Sequence, residues 1–315
     1  MGTTGRACGK LILFGEHAAV YGHPAVGMSL PEGTTVRLGD AALPAWDLGP
    51  ISPADRDGVS ALLSLLEEIL PGLAARGRRL VEVESSVARM AGFGSSSALC
   101  GAFARAALAL LGEDADGDVA RAWSLAHRAE RLFHGTPSGI DTGLALLGGT
   151  CVLRPRPPGL PAYSKISARA LHLVVGALPR DAACAALVGG LAARMKSGDH
   201  AARASIDALG GIAADASGTL AAGGPQVAKA LGALASRAMY ELRSLGLSNA
   251  GMERLLQEAA AAGALGAKLS GAGGGGVVFA VAPDRDRAGY IASRMEAAAA
   301  EAGMVLVSAF RVIEV

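Results

Sequence analysis

The stretch MAGFGSSSALCGAFARAALALLG, residues 90–112, decides how the rest of the chain is read. Gly92 and Gly94 flank a phenylalanine, three serines follow at 95–97, and an alanine- and leucine-rich run of helical character completes it. Just upstream, Leu80–Val87 (LVEVESSV) alternates apolar and polar residues and reads as a strand. A strand, a glycine turn and a helix in that order bring backbone close to a ligand, because glycine tolerates positive φ and carries no Cβ. The helix start offers free N–H groups and a positive dipole end, a site suited to phosphate. Serine hydroxyls there can cap the helix or ligate Mg²⁺. A plain serine-capped helix has the same signature, so this segment alone leaves both readings open. It contains neither GxxxxGK[ST] nor GxGxxG, which excludes a P-loop and a dinucleotide fingerprint here.

Outward from this segment, three others have comparable character. Lys10–Phe14 (KLILF) is an apolar strand that opens on a lysine, breaks at Gly15 and runs into Glu16-His17. ERLFHGTPSGID, residues 130–141, places Glu130 near the end of a helix predicted over Gly117–Phe133 and Asp141 after a Pro-Ser-Gly turn. Carboxylates on separate elements can divide two tasks, one holding a metal and the other a proton. The plain alternative is a solvated helix residue and a helix cap. KLSGAGGGG, residues 268–276, lies between two apolar strands, with five glycines in the six positions 271–276. A tight hairpin needs one or two glycines. Five carry an ordering cost that points to a loop pressed against a ligand.

The remaining pattern sets the architecture. Residues 31–58 read as loops with weak strands, and Val59–Ala75 as a helix broken at Pro71–Gly72. Thr150–Leu153 reads as a strand, and RPRPPGLP at 154–161 as a linker. Beyond it come a buried strand at Leu171–Ala177 and helical stretches over 183–196, 202–221, 226–245 and 249–262. The strands GAKLS and VVFAVA, a helix over 286–302 and a last strand in MVLVSAFRV complete the chain. Without the extra helices the order is strand, helix, strand, strand, helix, strand, the ferredoxin-like arrangement. The expected fold class is α+β, in two domains spanning 1–160 and 161–315.

Composition excludes several function classes. Over 315 residues, hydrophobic types reach 51% and charged types 18%, too apolar for a disordered chain. The balance of 29 basic against 28 acidic residues provides no global field for nucleic acid or an anionic membrane. Aromatic residues at 4% argue against base-stacking platforms. No apolar run approaches the roughly 20 residues of a membrane helix. Cys8, Cys100, Cys151 and Cys184 are scattered and suggest neither a zinc site nor a disulfide framework. The N-terminal stretch soon meets Glu16 and His17 and lacks the apolar region of a signal peptide, so a cytoplasmic protein is expected.

A phosphate loop, a carboxylate pair, a lysine and a second glycine loop together are what phosphoryl transfer from a nucleotide requires. In these four segments the chain resembles the GHMP small-molecule kinases, whose members act on galactose, homoserine, mevalonate or phosphomevalonate. GKLILFGEHAAVYGHPAV is similar to the family's first motif, in the form carried by members that act on mevalonate. AGFGSSSAL resembles the second, ATP-binding motif; ERLFHGTPSGIDTGLALLGGT resembles the segment with the metal glutamate and catalytic aspartate; KLSGAGGGG resembles the third motif. They occur in family order across residues 9–282.

The resemblance implies an N-terminal domain like the second domain of ribosomal protein S5 and a ferredoxin-like C-terminal domain. It implies ATP and Mg²⁺ as cofactors and Asp141 as base or anchor for the acceptor hydroxyl. Lys10 sits beside it, favouring its charged form or stabilising transferred charge. Gly92, Gly94, Ser95, Ser96 and Ser97 cradle the phosphates, and Ser96 and Glu130 hold the metal. Glu16 and His17 face the acceptor, while Gly271, Ala272, Gly273 and Gly274 close the site. A small alcohol and ATP are the implied partners, with no nucleic acid and no membrane, and a homodimer is left open.

The implied acceptor is mevalonate, phosphorylated on its primary hydroxyl; a phosphomevalonate or sugar kinase is the alternative, and a silent ligand sensor a third reading. Galactose-specific members carry arginine at the Lys10 position and an aspartate soon after Glu-His, where this chain has Ala18-Ala19. Two departures stand out. Ala88-Arg89-Met90 replaces the usual proline and glycine before Gly92, and Pro179-Arg180-Asp181-Ala182-Ala183-Cys184 has alanine where threonine is common before Leu187-Val188.

Overall fold

The computed structural model describes residues 2–167, 171–180 and 183–314, with backbone alone for 183–186 and 188. In the N-terminal half the elements are β1 (Thr3–Phe14), β2 (Ala25–Leu38), α1 (Arg56–Ile69), α2 (Gly72–Ala75), β3 (Val81–Ser85), α3 (Ser95–Leu111), α4 (Val119–His134), α5 (Ile140–Leu147), β4 (Thr150–Arg156) and β5 (Gly159–Ile166). The C-terminal half holds β6 (His172–Leu178), α6 (Ala183–Lys196), α7 (His200–Ala222), α8 (Val227–Ser244), α9 (Ala250–Ala261), β7 (Gly266–Ser270), β8 (Gly276–Ala282), α10 (Arg285–Glu301) and β9 (Ser308–Glu314).

The first sheet runs β1-β2-β4-β5, with β3 also on β2. β1 and β2 form a long antiparallel pair, and the far edge of β2 is shared: residues 25–28 pair with β4 and residues 34–38 with β3. α3 packs on both β1 and β2, and α5 lies beside it on the same strands. This placement brings the start of α3, the start of α5 and the end of β1 to one place.

The second sheet is antiparallel in the order β7-β8-β6-β9. Its last strand lies beside its first, and its third between first and second, which is the ferredoxin-like order expected from the sequence. Every residue of β8 is buried, in keeping with an interior strand of continuous apolar character.

Three readings need correction. The stretch 31–58 was expected to hold only weak strands, but β2 continues to Leu38 with regular partners on β1. Pro31 hides it in the sequence. The residue falls where the pairing jumps from Ser29↔Lys10 to Gly33↔Cys8, a bulge that needs no ladder N–H from it. The proline-rich stretch 154–161 is no linker, because β4 and β5 pair across it as a hairpin. The chain therefore leaves the first sheet after Ile166. Finally, α5 was not anticipated. Its eight residues are short for periodicity to reveal, and Gly143 sits in it because a Cβ there would lie 2.4 Å from the Trp123 ring.

Candidate active site

β1 delivers Lys10 into the interior, 3% exposed. Its backbone N–H donates to Phe93 O at 2.8 Å, which ties the strand to the turn before α3. Gly94 takes φ +77° as the residue preceding α3, and a Cβ there would lie 2.7 Å from Lys10 Cγ. The glycine is needed for the lysine stem to pass. No side chain caps α3, and its first rung is Ala98 N–H to Gly94 O at 2.9 Å. The amides of Ser95, Ser96 and Ser97 thus precede the helical ladder, as a phosphate cradle requires.

The ammonium of Lys10 ends 3.0 Å from Asp141 Oδ2. Asp141 lies in the first turn of α5, where the helix dipole favours negative charge. The turn before it is fixed by Trp123, whose indole N–H donates to Gly139 O at 2.9 Å. Glu130, from α4, is 1% exposed. Burial and, next, the Asp141 charge push its carboxyl up to about 7, against the opposing influence of Ser97 and Lys10. One of its oxygens accepts from the Ser97 hydroxyl; the other, Oε2, is sealed from solvent with no hydrogen-bond partner. Thr142, whose hydroxyl donates to Gly139 O at 3.2 Å, adds a smaller influence that lowers the Glu130 carboxyl.

The three serines therefore divide. Ser97 is wholly buried on Glu130, whereas the Ser96 hydroxyl pairs with His134 Nε2 at 2.9 Å. The resemblance gives Ser96 and Glu130 as metal ligands; the direct hydrogen bond to Glu130 comes from Ser97.

The glycine loop at 271–276 also divides. Gly271 and Ala272 line the cavity that holds Lys10 and Asp141. Gly273 and Gly274 turn onto Leu247: a Cβ on Gly273 would meet Leu247 O at 2.4 Å, and Gly274 donates its N–H to that oxygen at 2.9 Å. Part of the glycine excess thus serves close packing on the chain itself.

Glu16 and His17 line the same cavity. The Glu16 carboxylate, 4% exposed, is engaged by Lys268 of β7, which is wholly buried. His17, at φ +60°, approaches Ala272 O with Nε2 at 3.2 Å. A carbonyl only accepts, so Nε2 carries the ring proton. Burial pushes this imidazole down to about 4, so the ring is neutral and its one N–H is spent on the loop.

Two residues in the site had no role assigned from the sequence, Lys268 and Arg180. Arg180 follows β6 and enters the cavity from the second sheet. A Cβ on Gly92 would lie 3.0 Å from its Nη2, and one on Gly276 would lie 3.2 Å from its Nε. The guanidinium thus sits between both glycine loops, and its Nε is buried without a hydrogen-bond partner. The signal was present in the chain: a single arginine ends the apolar run of β6, in the stretch singled out for its missing threonine. Asp181 and Ala182 of that stretch lie outside the described residues.

The cavity around Lys10 and Asp141 measures about 310 Å³. A second, of about 570 Å³, opens beside it between Asp55, Arg89, Met90, Phe133 and the Ser95-Ser96 start of α3. Arg89 is drawn to Asp55 at 2.5 Å, and Met90 takes φ +54° at its rim. The substitutions before Gly92 therefore form part of this second cavity's wall. The Ser96–His134 hydrogen bond stands between the two, each partner lining one of them.

Residues 59–149 match the GHMP kinases N terminal domain, and residues 226–301 match GHMP kinases C terminal. The chain is 32% identical over 286 residues to a mevalonate kinase of Aeropyrum pernix, covering 87% of this chain and 86% of that one. It is 30% identical over 302 residues to a mevalonate kinase of Pyrococcus horikoshii, covering 88% of each. The chain belongs to the GHMP kinase family. As a GHMP kinase it is a small-molecule kinase that transfers a phosphoryl group from ATP. Its fold is similar to that of the L. major mevalonate kinase in complex with R-mevalonate, with a TM-score of 0.77 at 24% identity over 100% of this chain and 96% of that one. Among the described residues no helix is long and apolar enough to cross a membrane.

Proposed function

We propose that this GHMP kinase phosphorylates the primary hydroxyl of mevalonate with Mg-ATP, giving 5-phosphomevalonate and ADP. The observation that carries the reading is the Lys10–Asp141 pair at 3.0 Å on the wall of a small cavity, in a chain akin to mevalonate kinases along most of its length. The acceptor hydroxyl binds Asp141, which receives its proton as the oxygen bonds to the γ-phosphorus. The bond from that phosphorus to the β–γ bridging oxygen breaks, and ADP leaves with the electron pair. Lys10 pairs with the Asp141 carboxylate and balances the moving charge during transfer. Arg180 brings a second cation to the same place, with donors for an oxyanion. The amides at the start of α3 hold the phosphates, the larger cavity takes the nucleoside, and the first domain so carries ATP.

Mg²⁺ fits the donor set. Glu130 offers a buried oxygen with no partner, and its carboxyl is held partly neutral by burial, a state a cation would reverse. Mg²⁺ is commonly held by one or two carboxylates together with substrate phosphates. Glu130 and a serine of the 95–97 run would hold it, and when bound it neutralises phosphate charge.

Lys10 and Ala18-Ala19, in place of arginine and aspartate, argue against a sugar acceptor. ADP release from Mg-ATP in the presence of mevalonate, phosphomevalonate, galactose or homoserine tests the acceptor. Mevalonate is expected to give the highest kcat/KM. A better rate with another acceptor leaves the kinase and overturns its proposed substrate.

A further inference from the structure

Lys268 is not used by the chemistry above, yet it is among the largest wholly buried side chains of the molecule. It belongs to β7 of the second sheet and crosses to the end of β1 in the first. There its ammonium donates to the Glu16 carboxylate, to Leu13 O at 3.2 Å and to Leu269 O at 2.7 Å. The rings of Phe14 and Phe279 flank it, with centroids 5.8 and 5.1 Å from Nζ. Two residues further along β7, the Ser270 hydroxyl donates to Ile12 O at 2.7 Å, a second bond between the same two strands.

A buried ion pair is a poor device for stability alone, since desolvation offsets most of its attraction and apolar residues of similar size would serve as well. Burial does push the Glu16 carboxyl up and the Lys268 ammonium down, so the site bears that cost. What such a pair does well is fix one register between two surfaces. Here the surfaces carry the two halves of the acceptor cavity. His17 follows Glu16 directly, and Gly271-Ala272 lies just beyond Ser270; the two meet in the His17–Ala272 contact.

We propose that Lys268 is a positioning residue: by gripping Glu16 across the sheets, it sets His17 and Ala272 as the wall that holds the acceptor hydroxyl against Asp141. Glu16 then acts through Lys268 and not by touching the acceptor. The inference rests on the reading of this cavity as the acceptor side.

The test is steady-state kinetics on the full chain with Lys268→Met, Glu16→Gln and the double variant. Each single change is expected to raise KM for the acceptor about tenfold or more while KM for ATP stays within about twofold. Because the two act as one unit, the double variant is expected to be no worse than the poorer single one. Unchanged KM with only a lower Tm would reduce the pair to a structural contact and overturn the proposal. So would strictly additive effects, or a raised KM in the Glu16 variant alone. Should Lys268→Met not fold, Glu16→Asp retains the charge and withdraws it by one methylene. It must show the same KM split, and a normal acceptor KM there overturns the proposal. Turnover of mevalonate by the unaltered chain reads the substrate assignment separately. The variant-to-parent ratio, taken with whichever alcohol the parent accepts, reads the role of Lys268.

Discussion

Lys10 and Asp141 meet at 3.0 Å although they come from opposite ends of the first domain's motifs, one from β1 and one from the first turn of α5. Each is aimed by a glycine-dependent contact: Gly94 makes room for the lysine stem, and Gly139, held by the Trp123 indole, starts the helix that carries the aspartate. Asp141→Asn keeps the shape and removes the proton acceptor. kcat is expected to fall at least about 100-fold, the scale of a general base. ATP affinity, measured by calorimetry, should be retained; near-normal turnover would remove Asp141 from the chemistry.

Arg180 places its guanidinium between the two glycine loops with a buried donor unspent. Arg180→Gln is expected to lower kcat by about 100-fold to 1000-fold, the range found for removing one donor from a site of developing charge. The melting temperature should change little. A variant with normal kcat would assign the residue to loop packing alone.

Ser96, Ser97 and Glu130 separate two roles. Ser97→Ala leaves the buried Glu130 carboxyl short of a hydrogen bond and should cost about 1–3 kcal/mol in denaturant unfolding. Ser96→Ala and Glu130→Gln should raise the Mg²⁺ concentration needed for half-maximal rate, with excess metal restoring part of it. Unchanged Mg²⁺ titrations in both would displace the metal from these residues.

His17 supplies the pH dependence. Its folded value of about 4 lies below the ordinary 6.5, so an unfolded chain takes up a proton before the folded one does as pH falls. The imidazole therefore stabilises the fold fully above about 6.5, and that contribution is lost as pH falls through about 4. Melting temperature against pH should drop more gently on its acid side in His17→Gln than in the parent, and superposed acid limbs would contradict the burial of a neutral ring. His17→Ala should also raise KM for mevalonate about tenfold and leave KM for ATP within about twofold, since it ends the contact with Ala272.

Much of this was legible in the chain because glycine positions and apolar runs are local signals. The ferredoxin-like order, α3 after its glycine turn, and the proximity of Lys10 to Asp141 implied by the family all followed from quoted segments. What was not legible depends on partners distant in sequence. β2 is a strand through its pairing with β1, in spite of Pro31. Ser97 rather than Ser96 faces Glu130 because of where α4 crosses α3. The resemblance sets Glu16 toward the acceptor, and only the second sheet supplies the Lys268 that engages its carboxylate. The close approach of Gly273 to the Leu247 backbone was also not legible, since it depends on a residue distant in sequence.

The proposed reaction transfers one phosphoryl group to the primary hydroxyl oxygen of mevalonate. Phosphorus NMR of the product formed from Mg-ATP and mevalonate tests it most directly. The account predicts one new phosphomonoester signal coupled to the two protons of a single methylene group, formed at least about 100-fold more slowly when Asp141→Asn replaces the parent. A phosphorus signal without that coupling, or ADP formed with no new phosphomonoester, would contradict it.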